Sequence, residues 1–74
     1  SILAVDFKTN RVVPDTPDGV PEGLLRQMGA YHAMLARIYP GHKIQTAILW
    51  TATSQLMMLD TDQTAAAFGR ATAS

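Results

Sequence analysis

Apolar and polar positions change rhythm several times along the chain, and each change marks an element. Ile2 to Phe7 mixes β-branched and aliphatic residues over a strand-length window, with Leu3, Val5 and Phe7 on one face and Ile2, Ala4 and Asp6 on the other. Both faces are mostly apolar, which predicts a central strand. Asn10 to Gly19 holds Pro14, Pro17, two Asp and a Gly, a composition that forbids regular structure and predicts a surface loop. From Leu24 the apolar positions Leu24, Met28, Tyr31, Leu35 and Ile38 step by four, three, four and three, laying one stripe down a helix.

The punctuation around these runs sets their limits. Gly19-Val20-Pro21 starts the helix, because Pro is tolerated in the first turn where its missing N–H has no partner anyway, and Glu22 suits the positive helix end. The helix is expected from Pro21 to Ile38, and Pro40-Gly41 ends it. Lys43 to Thr51 reads as a second strand and Gln55 to Leu59 as a third. Ala52-Thr53-Ser54 forms the break of a hairpin that lacks the Asn-Gly or Asp-Gly pair that fixes turn type. Asp60 and Gln63 have the spacing of a capping box, so a short helix from Thr61 to Arg70 closes the chain, with Ala71 to Ser74 frayed. The expected order is strand, long helix, strand, strand, short helix, an α/β arrangement in a single domain spanning residues 1–74.

Length bounds what such a domain can do. At 74 residues it buries only about 60% of the surface its unfolded form exposes, so its stability is marginal. A 47% hydrophobic content makes it globular rather than disordered. There is no Cys, hence no disulfide framework or thiolate metal site, and a cytosolic location is expected. The longest apolar run, Ala47 to Trp50, falls far below the ~20 residues a membrane-spanning helix needs. Six Lys and Arg balance six Asp and Glu, so the chain lacks the basic surplus of a self-sufficient nucleic-acid binder. Any grip on DNA must come largely from other segments.

Two pairs of residues carry candidate chemistry. Asp6 and Lys8 sit two apart at a strand end, so period-two geometry points both to the same face. A carboxylate ending an apolar strand is costly to desolvate unless a cation meets it, and a bound Mg²⁺ compensates better than Lys8 alone. Such a metal lowers the pKa of its water and stabilises a pentavalent phosphate, while the lysine orients or helps deprotonate the nucleophile. Gln27 and Tyr31 are spaced i, i+4 on the helix, offering an amide and a phenol to a phosphate or a metal-bound water. Taken singly, each pair also fits a plain salt bridge, a solvated amide or an ordinary stripe residue.

Together they carry a resemblance. Ala4-Val5-Asp6-Phe7-Lys8-Thr9-Asn10, a Pro-containing loop, and Leu25-Arg26-Gln27-Met28-Gly29-Ala30-Tyr31 resemble the C-terminal nuclease domain of AddA and RecB helicase-nucleases, of the PD-(D/E)XK superfamily. Tyr39-Pro40-Gly41 and Ala47-Ile48-Leu49-Trp50-Thr51 are similar to the AddA subunit in particular, and the likeness covers nearly the whole chain. It implies the C-terminal part of a restriction-endonuclease-like core, with Asp6 as an acidic metal ligand, the Phe7 carbonyl as a further ligand and Lys8 as the catalytic lysine. Gln27 and Tyr31 would form the Q-x3-Y helix motif beside the metal. It further implies Mg²⁺ as cofactor, DNA and an AddB-type subunit as partners, and an ATP-driven helicase and exonuclease of double-strand-break repair as the parent.

The chain also departs from that pattern. The family carries another Asp on a preceding strand and a more N-terminal helix, which this sequence lacks, as it lacks a G-x4-G-K-[ST] ATPase motif. Mg²⁺ binding by one carboxylate is expected to be weak or absent, and the chain alone inactive. A strand without its neighbour exposes apolar surface and unpaired backbone, which favours self-association through the open edge. A different class of function stays open: a small α/β assembly module in which Asp6 and Lys8 are only structural. An Asp about ten to fifteen residues upstream of Asp6 would favour the nuclease.

The remaining candidates read as structural. His32 and His42 have no companion at ligand spacing, the four Met suit core filling, and Trp50 is expected to pack on the helix. Arg26, Arg37 and Lys43 are scattered and read as solvated surface.

Overall fold

The computed structural model describes residues 1–72. Three strands, β1 (Ile2–Lys8), β2 (Ile44–Trp50) and β3 (Gln55–Met58), form one sheet, and two helices, α1 (Glu22–Ile38) and α2 (Thr61–Thr72), complete a mixed α/β fold. β1 pairs parallel with β2 through the α1 crossover, and β2 pairs antiparallel with β3 across the hairpin. No described helix is long and apolar enough to cross a membrane.

The sheet order β1-β2-β3 corrects the first strand's expected position. Apolar residues on both faces of Ile2 to Phe7 suggest a central strand, yet β2 occupies the middle and β1 an edge. Only β2 has neighbours on both sides, and five of its seven residues are buried, whereas the residues of β1 alternate between half-buried and exposed. The alternation has a direct cause, because both helices leave one face of the sheet bare. Ile48, Trp50 and Met57 join Leu25 and Met28 of α1, Ala67 of α2, Val20 and Leu59 in one core on the covered face. Full burial of a large apolar side chain contributes about 1.5–3 kcal/mol. Leu3, Val5, Phe7, Leu56 and Met58 lie on the other face and are exposed, Phe7 at 65%.

α1 begins one residue after Pro21, which stands at its N-cap, and ends where Tyr39 N–H bonds the Leu35 carbonyl and Gly41 turns the chain at φ +84°. The buried stripe centres on Leu25, Met28 and Gly29, while Tyr31 and Ile38 are exposed. Gly29 lets the two helices approach closely, since a Cβ there would overlap the Thr64 carbonyl oxygen and lie 2.8 Å from Phe68 Cβ. An exposed bidentate pair, Arg70 to Glu22 with both N···O distances 2.7 Å, ties the last turn of α2 to the first turn of α1.

Only half of the expected capping box forms. Asp60 Oδ1 accepts from Asp62 N–H at 2.9 Å, but the Gln63 amide donates to the Pro17 carbonyl at 3.3 Å instead of returning to the cap. It thereby fastens α2 to the 3-10 turn Pro17–Gly19. α2 also runs past Arg70 to Thr72, whose hydroxyl lies within hydrogen-bond reach of the Phe68 and Gly69 carbonyls; residues 73–74 of the expected frayed tail lie outside the described residues. In the hairpin, Ser54 takes the left-handed conformation (φ 53°) that an Asn-Gly turn would have given to Gly.

Candidate functional site

The parallel pairing brings the C-terminal ends of β1 and β2 side by side, with Asp6 opposite Ile48 and Lys8 opposite Trp50. Ligands of open α/β sheets bind beyond such ends. Paired residues share a face, so Asp6 and Lys8 point to the side of the sheet that α1 covers. Lys8 Nζ lies 3.1 Å from Asp6 Oδ2, the two side chains being 32% and 23% exposed. That oxygen is shielded from solvent and receives no directed hydrogen bond, so the contact is Coulombic attraction without alignment. Thr46 Oγ1 and Trp50 Nε1 are likewise buried without partners. They belong to the same face, and such orphan groups in a folded chain ask for an explanation in strain, ligand or water.

The strand end is held firmly. The Lys8 carbonyl accepts from the Thr51 N–H at 2.9 Å and from the Thr51 hydroxyl at 3.1 Å. Thr51 is not singled out by the sequence pattern, because the contact joins residues 43 apart and depends on strand register. Backbone groups of alternate residues point to opposite sides of a strand, and both Ile2 N–H and the Lys8 carbonyl bond toward β2. Those of Leu3, Val5 and Phe7 therefore face the open edge, which leaves the Phe7 carbonyl with no strand partner among the described residues.

Gln27 and Tyr31 meet each other directly. Gln27 Nε2 donates to the Tyr31 hydroxyl at 2.8 Å, one turn apart on α1, and both residues are exposed. They stand on the flank of the Met28 stripe opposite Gly29, the residue that abuts α2. Asp6 and Lys8 form one pair and Gln27 and Tyr31 another, and among the described residues no hydrogen bond or ion pair joins the two.

Asp6 and the Phe7 carbonyl offer oxygen donors of the kind Mg²⁺ prefers, and Asp6 Oδ2 stands 3.1 Å from the Lys8 ammonium. They supply two donors only; no group of three or more His, Cys, Asp or Glu that could hold a metal occurs among the described residues. The fit is that of part of a magnesium site, one carboxylate with the balance drawn from water and phosphate. The histidines stand apart from it, with the His42 ring edge-on to Tyr39 at 6.0 Å. Met28 and Met57 fill the core, whereas Met34 and Met58 are exposed, and Trp50 is fully buried beneath α1. No protein-family model matches the chain, and no curated protein or solved structure does either.

Proposed function

We propose that this chain is the second half of a metal-dependent DNA nuclease site with a restriction-endonuclease-like core, acting within an ATP-driven helicase-nuclease of the AddA and RecB kind in break repair and recombination. The observation that carries the reading is Asp6 Oδ2, a buried carboxylate oxygen with no directed hydrogen bond, beside the Lys8 ammonium at the end of a parallel strand. In this reading Asp6 and the Phe7 carbonyl hold Mg²⁺, which supplies an activated water and charge stabilisation at phosphorus when bound. Lys8 holds the scissile phosphate and aligns the nucleophile, and the Gln27–Tyr31 pair orients the phosphate oxygens from the helix side. DNA, an AddB-type subunit and a cytoplasmic location belong to the same proposal.

In a protein that carries this segment behind a strand ending in a further Asp, Lys8→Ala abolishes Mg²⁺-dependent DNA cleavage and leaves ATP-driven unwinding largely intact. Loss of both activities together with a drop in Tm would make Lys8 a folding residue and overturn the assignment.

The bare sheet face favours a second reading, an assembly module. Leu3, Val5 and Phe7 present exposed side chains on that face and unpaired backbone groups on the adjoining edge. A second copy adding its own β1 there would satisfy both.

A further inference from the structure

The outward side of β1 carries none of the guards that usually blunt an edge strand. β1 pairs with β2 over its whole length without a bulge, and Leu3, Val5 and Phe7 bring neither charge nor proline to the open edge. Their backbone groups are the ones that face outward, because the Ile2 N–H and the Lys8 carbonyl are spent on the β2 side. Their side chains stand exposed on the bare face. α1 packs chiefly against β2 and α2, which leaves the edge approachable to another strand.

A second copy fits this edge best in one register. Antiparallel pairing on a two-fold axis through Val5 sets Leu3 opposite Phe7 and Val5 opposite its own copy, so every outward N–H and carbonyl of these residues meets a partner. Phe7 then packs on Leu3 of the second copy, and Asp6 faces Ala4 rather than a like charge. Moving the axis to Asp6 sets two carboxylates opposite each other and Leu3 against Thr9, outside the strand. Moving it to Ala4 sets Phe7 against Ser1, also outside the strand. Registers that oppose odd and even positions leave the outward backbone groups unmet.

We infer that β1 is the contact of a two-fold dimer of this chain, in which an antiparallel β1–β1 pair centred on Val5 joins two sheets into one. Such a dimer rests on the assembly reading, to which it adds an orientation and a register, and owes nothing to the nuclease chemistry.

The chain has no cysteine, so an introduced thiol is the only one present. Across a hydrogen-bonded antiparallel pair the Cα atoms lie about 5.5 Å apart, inside the range of about 4.4–6.8 Å that a disulfide spans. Under mild oxidation Val5→Cys crosslinks to itself. Leu3→Cys crosslinks to Phe7→Cys in a mixture about tenfold faster than either does alone, because like positions lie about 14 Å apart along the strands. Val5→Pro removes one outward N–H and spares the β2 ladder, so in dilute solution its Tm stays close to that of the native chain while sedimentation shows association weakened about tenfold. The crosslinks decide alone should that variant not fold. Self-crosslinking of Leu3→Cys or Phe7→Cys as fast as that of Val5→Cys, in a chain that still associates, overturns the register and leaves the assembly reading standing. Folded Val5→Pro that associates as tightly as the native chain overturns the strand pairing in favour of contact through the bare face. A native chain that sediments as a monomer at every concentration overturns the dimer and the assembly reading together.

Discussion

Asp6 and Lys8 stand 3.1 Å apart on the helix-covered face of an edge strand, and the oxygen nearest the ammonium accepts no directed hydrogen bond. A partly exposed ion pair of this kind contributes only about 0–1 kcal/mol, so it adds little to the stability of the fold. In the proposed function the pair is half of a site, and other contacts fasten the fold.

One of those fastenings is the approach of α1 and α2 at Gly29. Ala is ordinarily the better helix former by about 1 kcal/mol, but here its methyl would meet the backbone of Thr64, which cannot yield as a side chain can. Gly29→Ala is expected to destabilise the chain by about 1–3 kcal/mol net, measured by urea unfolding. An unchanged or raised midpoint would show that the helices can separate freely.

The Glu22–Arg70 pair gives the fold an acid sensitivity. The Arg70 guanidinium hydrogen-bonded to Glu22 holds that carboxyl below its ordinary value of 4.5, against the smaller opposing effect of desolvation. As the folded value is lowered, the unfolded chain takes up the proton first, so the stabilisation is present above pH 4.5 and is lost as pH falls through the lower folded value. Arg70 is shifted upward by the same contact, and its contribution is lost only in strong alkali. Below pH 4.5 the Tm of the native chain should therefore fall more steeply than that of Glu22→Gln, and parallel slopes would contradict the assignment.

Phe7 is the most exposed side chain on the bare sheet face. Sedimentation at rising concentration should show association of the chain, and Phe7→Thr, which keeps strand propensity and removes the ring, should shift it toward monomer. A clean monomer at high concentration would count against association through this face.

The elements were legible in the sequence because each rests on local pattern. The helix expected from Pro21 begins at Glu22, and the strand expected from Lys43 to Thr51 runs Ile44–Trp50. What local pattern could not give was position. Ile2 to Phe7 is apolar on both faces, which in sequence is the mark of an interior strand, but only strand order decides which residues are covered. Gln63 has capping-box spacing and spends its amide on Pro17, a contact that exists only once the chain has folded. The Asp6–Lys8 and Gln27–Tyr31 pairs were legible from spacings of two and four. The Thr51 clamp on Lys8 and the orphaned Trp50 N–H were not, since both depend on parallel register.

The most direct test of the central claim is an NMR titration of the 74-residue chain with Mg²⁺ in the presence of a short single-stranded oligonucleotide. Weak but concerted shifts at the amides of Asp6, Phe7 and Lys8 and at the Gln27 side-chain amide, absent in Asp6→Asn, are the predicted result. Shifts confined to Asp15, Asp18, Asp60 and Asp62, with Asp6 and Gln27 silent, would contradict the account.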